Sequence, residues 1–192
     1  GNFDYLAIAK DYEKAGADAI SVLTEPDYFL GSIDYLAEIA EHVKTPLLRK
    51  DFVVDEYMID EAKAAGASAV LLICALLEEE TLTRYHKHCD ELGLSALVEA
   101  HDEEEIQMAV RAGARIIGVN NRNLKDFTVD IHNGIRLREK VPKEILFVAE
   151  SGIKTRENIV ELEKGCVNAV LIGETFMRSE NKKQMLQQLK GE

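Results

Sequence analysis

Apolar residues gather in short runs, and most of these runs end abruptly in a charged or amide side chain. The clearest is Pro46-Leu47-Leu48-Arg49-Lys50-Asp51-Phe52, where a buried-looking stretch gives way to three charges and an aromatic ring. Runs of this length, opened by Pro and closed by polar residues, predict strands covered on both faces. Similar runs occupy 19–23, 69–73, 95–98, 116–119, 145–148 and 169–172. Between them the apolar positions recur at helical spacing, predicting helices over 33–43, 58–65, 78–92, 103–112, 131–140, 156–164 and 182–189. A further helical pattern (Phe3, Leu6, Ala7, Ala9, Tyr12) opens the chain.

Four passages repeat. Gly16, Gly66, Gly113 and Gly165 each follow a helical stretch and precede a strand-like run, at separations of 50, 47 and 52 residues. A glycine in that place predicts a left-handed helix cap. With the interleaved strands counted, one strand and one helix form the repeating unit. Strict alternation predicts a parallel sheet covered by helices. An open doubly wound sheet satisfies the alternation too, but no Gly-rich dinucleotide fingerprint follows any strand. The strand ends carry Glu25, Lys50, Glu99, Asn120, Glu150 and Glu174. Those side chains converge only if the sheet closes, as in a (βα)8 TIM barrel, whose chemistry sits at the C-terminal ends of its strands. The expected fold is therefore α/β, a single (βα)-barrel domain over 1–192. Only seven strands are predicted where eight are needed, so the expected barrel is incomplete.

Composition narrows the partners. The formal charge of -12 argues against nucleic acid, whose phosphates would be repelled over most of the surface. A small anion needs only a local amide-lined pocket and stays possible. Cys74, Cys89 and Cys166 are widely spaced and form no metal or redox motif, predicting a reduced, cytoplasmic setting. No apolar run reaches the roughly 18 residues of a membrane span, so no membrane partner is expected.

Lys50 follows Leu48 by two, so both point to one side of a strand. It is either a surface lysine paired with a carboxylate or an amine poised for acid chemistry. Glu99 ends its strand in the same way. A carboxylate there is costly unless paired or used, and with Lys50 it makes an acid–base pair plausible. Asp102 is the expected N-cap of the next helix, with Glu105 completing a capping box. The cluster Gly118-Val119-Asn120-Asn121-Arg122-Asn123-Leu124 reads either as a turn or as an amide orienting a substrate hydroxyl, with Arg122 bracing the loop. Ala149-Glu150-Ser151-Gly152-Ile153 and Gly173-Glu174-Thr175 follow the last two strands, where barrels of this class commonly hold phosphate on exposed backbone N–H groups. His86 and His88 are two apart on a helix and share no face, Cys74 belongs to a buried strand, and no metal site is expected.

With these motifs assembled, the chain resembles the indole-3-glycerol-phosphate synthase family of tryptophan biosynthesis. The carriers are Ser21-Val22-Leu23-Thr24-Glu25, Tyr28-Phe29-Leu30-Gly31-Ser32, Leu48-Arg49-Lys50-Asp51-Phe52, Leu97-Val98-Glu99, the cluster 118–124, Ala149-Glu150-Ser151-Gly152-Ile153 and Ile172-Gly173-Glu174. The resemblance implies a (βα)8 barrel that uses neither a metal nor an organic cofactor. It implies a carboxy-lyase converting 1-(2-carboxyphenylamino)-1-deoxyribulose 5-phosphate to indole-3-glycerol phosphate, with loss of carbon dioxide and water. It further implies Lys50 as general acid, Glu99 as base partner in dehydration, and Asn120 and Glu150 orienting the substrate diol and Lys50. Ser151, Gly152, Gly173 and Glu174 would line the phosphate site. Phe29, Phe52 and Leu72 would wall the anthranilate ring, with Glu25 and Arg122 also among the substrate-binding residues.

One part of the family pattern has no counterpart. Family members carry an N-terminal extension and a first strand with a Glu-x-Lys motif, whose lysine contacts the substrate carboxylate. The chain begins at the helix after that strand, so an N-terminally truncated barrel is expected. Its outer strands would then be open apolar edges that invite self-association. A non-catalytic fragment retaining at most phosphate binding is the alternative expectation.

Overall fold

The computed structural model describes residues 4–123 and 125–192, and Phe3 and Leu124 of the patterns above lie outside them. Each of the seven apolar runs forms a strand, and every strand pairing within a unit is parallel. The chain divides into two compact units, Gly1–Ala96 and Leu97–Glu192.

The first unit runs α1 (Tyr5–Ala15), β1 (Ile20–Leu23), α2 (Ile33–His42), β2 (Leu47–Lys50), α3 (Glu56–Ala65), β3 (Ala69–Ile73) and α4 (Glu79–Leu92). β1 pairs with β2 so that Leu23 stands opposite Lys50, and β2 pairs with β3 with Leu48 opposite Ala69. Val70, Leu71 and Leu72 of β3 are buried, as are Leu36, Ile59 and Leu82 of the covering helices. Burial of successive residues is what a parallel strand between two covered faces requires. Cys74 departs from expectation: it opens a 3-10 turn, Cys74–Leu76, directly after β3. It remains buried there and still packs in the core.

In the second unit β4 (Ser95–Ala100) continues from the first and is followed by α5 (Glu103–Arg111), β5 (Ile116–Asn120), α6 (Ile131–Arg138), β6 (Leu146–Glu150), α7 (Arg156–Lys164), β7 (Ala169–Leu171), the short α8 (Glu174–Met177) and α9 (Lys182–Lys190). β5 lies between β4 and β6, and β6 pairs with β7. Ala149, Ile153 and Leu162 form a buried cluster under Ile135, Ile159 and Val170. The turn at 74–76 and the helix α8 had no periodic signal, because one turn of helix contains too few positions to show a period.

Gly16, Gly66 and Gly113 adopt the expected left-handed backbone. Gly165 does not. Its φ is -80° and the left-handed residue is Cys166 at φ 63°. Room is short at 165, where a Cβ would sit 3.0 Å from Ile135 Cγ2 of α6.

Candidate functional site

In the first unit Lys50 is the half-buried last residue of β2, next to a buried polar network. Arg49 points into the helix layer, where Nη1 donates to Met58 O and pairs with Glu61 Oε1, both at 2.8 Å. Alternation then directs Lys50 to the opposite face, with Leu48. Arg49 Nε also donates to Thr24 Oγ1 (2.9 Å), Thr24 Oγ1 donates to Asp51 Oδ2 (2.6 Å), and Asp51 Oδ1 accepts from the Phe52 N–H (2.7 Å). Thr24, Arg49 and Asp51 are all buried. This network joins the loop after β1 to the loop after β2. It also occupies Asp51, the carboxylate next to Lys50 in sequence.

Glu25 is occupied by its own loop. Its carboxylate accepts from the N–H groups of Asp27, Tyr28 and Phe29 at 3.0, 2.6 and 3.1 Å. Burial pushes its carboxyl up, but the hydrogen bonds from Tyr28, Asp27 and Phe29 together outweigh burial and hold it below the ordinary carboxylate range. Glu25 thus shapes the turn that carries Phe29. Gly31 closes that turn: a Cβ there would collide with the Leu23 carbonyl. Phe29 and Phe52 are exposed, with ring centroids 5.8 Å apart and tilted by 42°. They form an accessible aromatic pair. Leu72, expected beside them, is 0% exposed and offers a ligand no surface. It is a core residue of β3, because a strand covered on both faces buries every position.

In the second unit, strand register gathers three of the expected side chains on one face. Glu99 stands opposite Gly118, and Asn120 opposite Glu150. A Cβ on Gly118 would lie 3.2 Å from Leu97 Cδ1 and 3.5 Å from Glu150 Cδ. Leu97 and Glu99 share a strand face, as do Gly118 and Asn120, so Glu99, Asn120 and Glu150 look the same way. The opposite face carries Val98, Val119 and Ala149, all 0% exposed. Gly118 is small because the Glu150 side chain lies over it. Glu99 and Glu150 are both buried, at 7% and 4% exposure, at the ends of their strands.

Asn120 serves the turn it was read into: its Oδ1 accepts from the Arg122 N–H at 3.0 Å. Its amide NH2 is not used in that turn. Arg122 pairs through its backbone with Val129 across the loop. Asn121, which sequence reasoning passed over, holds the region together. Its Oδ1 accepts from the Gly134 N–H (3.0 Å) and its Nδ2 donates to Ser151 O (3.1 Å), tying α6 to the loop after β6. The only cue was a second Asn beside Asn120, which says nothing about long-range partners.

Ser151 and Gly152 are consecutive left-handed residues, φ 69° and 79°. For a serine this conformation is uncommon, and such strain gathers at ligand-holding loops. At Gly152 a Cβ would also collide with Val129. The turn presents successive backbone N–H groups, a geometry suited to an anion. Thr175 Oγ1 donates to Ile153 O at 2.9 Å and so joins the loop after β7 to this one. No protein atom lies within 4 Å of a Cβ built on Gly173, which leads into α8 at Glu174.

Asp102 caps α5 as expected, accepting from the Glu105 N–H at 2.8 Å. The expected capping box is altered, however. Glu105 Oε1 accepts from the N–H of His101, one residue before the cap, at 2.8 Å, and also meets the His101 ring at Nδ1 (3.1 Å). The imidazole competes for the carboxylate and draws it past the cap residue.

Alternating parallel strands and helices, with amine, carboxylate and amide groups at C-terminal strand ends, define the (βα)-barrel class of proteins. Solved structures agree on that fold. A 3-hexulose-6-phosphate synthase superposes with a TM-score of 0.81 at 16% identity, covering 97% of this chain and 92% of that one. A mandelate oxidase gives 0.79 at 20%, over 98% and 66%. The indole-3-glycerol phosphate synthase family profile matches residues 1–189. The indole-3-glycerol phosphate synthase of Leuconostoc mesenteroides is 60% identical over 99% of this chain and 72% of its own length, and that of Ruminiclostridium cellulolyticum 60% over 99% and 73%. The chain belongs to the indole-3-glycerol phosphate synthase family. Relatives named as enzymes favour the synthase reading over the non-catalytic fragment. No helix among the described residues is long and apolar enough to cross a membrane.

Proposed function

We propose that the chain catalyses ring closure, decarboxylation and dehydration of 1-(2-carboxyphenylamino)-1-deoxyribulose 5-phosphate, the carbon–carbon lyase reaction of its family. Lys50 acts as the general acid that polarises the ribulose carbonyl and then assists departure of hydroxide. Glu99 takes the proton in dehydration. Asn120 and Glu150 orient the diol, the backbone of Ser151-Gly152 and of Gly173-Glu174 holds the phosphate, and Phe29 with Phe52 flanks the anthranilate ring. The observation that carries this reading is the gathering of Glu99, Asn120 and Glu150 on one face, at strand ends, with two of them buried carboxylates. A buried carboxylate is costly unless it is paired or used, and proton transfer is one use. Incubation of the purified chain with this substrate is expected to yield carbon dioxide and an indole fluorophore in equal amounts. Formation of neither overturns the reading.

Self-association is part of the same proposal. Among the described residues of its own unit, β1 is paired on one side by β2, and β7 on one side by β6. An unpaired strand edge is a template for another chain. Sedimentation equilibrium should show mass rising with concentration; a constant monomer mass would sink the idea.

A further inference from the structure

We propose that His101 is a positioning residue for Glu99, taking up the proton that Glu99 acquires and then holding its carboxylate through the Nε2–H so formed, with Glu105 orienting the ring. The inference rests on the reading of Glu99 as the base. Its grounds lie within the second unit. Glu105 Oε1 meets the ring at Nδ1, 3.1 Å away, and a carboxylate accepts, so Nδ1 carries hydrogen. The same oxygen accepts the His101 N–H, and the Glu105 N–H is held by Asp102, so the clamp is itself braced. In the neutral ring Nε2 then bears a lone pair.

That lone pair faces Glu99. Nε2 is buried, makes no hydrogen bond among the described residues, and stands 3.7 Å from Glu99 Oε2. The gap exceeds a hydrogen bond by a margin that a modest turn of the Glu99 carboxylate closes. A buried polar atom without a partner demands an explanation, and a partner that arrives with a proton supplies one. When Glu99 has taken a proton, its O–H bond breaks as an N–H bond forms at Nε2. Glu99 is again a carboxylate, the ring is an imidazolium with its Nδ1–H still on Glu105, and the reverse step returns the proton. Besides Glu99 itself, the neighbouring carboxylates are Glu105 of α5, on the ring, and Glu150 of β6, which lies over Gly118, the residue opposite Glu99.

The test has two arms on the purified chain. In ring-nitrogen NMR, Glu99→Gln should move the His101 Nε2 resonance while leaving Nδ1 nearly fixed, and the exposed control Glu103→Gln should move neither. An Nε2 signal indifferent to Glu99→Gln overturns the inference whatever the turnover. In kinetics, His101→Ala should lower kcat by roughly 10- to 100-fold with KM little changed, and added imidazole should restore part of the loss. A merely structural histidine would not respond to imidazole. Full turnover in His101→Ala with Glu99→Gln silent overturns the role of His101 alone, whereas full turnover in Glu99→Gln overturns the reading of Glu99 and this inference with it.

Discussion

Replacing Glu99 by Gln is expected to lower synthase turnover by about 10²- to 10⁴-fold, the usual worth of a positioned acid or base. Gln keeps the shape of the side chain and its capacity to accept a hydrogen bond, but it cannot take a proton. Packing around β4 should therefore be preserved, with Glu99 still opposite Gly118 and beneath the same buried neighbours. Removing a buried charge also relieves desolvation, so the thermal midpoint should hold or rise. Steady-state kinetics separate the possibilities. A fall in kcat and kcat/KM together marks a group acting in the transition state, whereas a raised KM with kcat intact marks a binding role. A variant that turns over like the parent would end the assignment of Glu99.

Arg49→Met should destabilise the chain by about 3–5 kcal/mol, the range measured when one partner of a buried charge pair is removed. Arg49 is 4% exposed, and it serves Thr24, Asp51, Glu61 and the Met58 carbonyl at once. Met fills a similar volume, so the loss is electrostatic and not a cavity. Asp51 would be left with Thr24 and the Phe52 N–H but with no positive charge, inside the protein. Urea unfolding of parent and variant measures the difference. Arg49→Met combined with Asp51→Leu should recover part of it, because the stranded charge is then gone as well. A single variant within about 1 kcal/mol of the parent, the span of an exposed pair, would show that the network contributes little.

Arg49 and Lys50 also show how far local reading reaches. Alternation along a strand assigns them to opposite faces without any coordinates. It does not say which partners wait on each face. The partners of Arg49 lie 25 and 12 residues away, at Thr24 and Glu61, and only the register of β1 on β2 and the docking of α3 bring them within reach. Leu72 marks the same limit from the other side. Its place in the family motif suggested a pocket wall, yet a fully covered strand leaves it no accessible surface.

What the sequence determined by itself is whatever repeats or alternates over a few residues. The seven strands, the helices between them, most helix caps and the polar residues at strand ends are of this kind, because propensity, pleat and capping act within a turn or two of chain. Tertiary structure alone decided where non-local neighbours meet. It set Glu150 over Gly118, tied Asn121 to both Gly134 and Ser151, and placed Gly165 beneath Ile135. Each of these depends on strand register or helix docking, and in the strands a slip of one residue would turn every side chain to the other face.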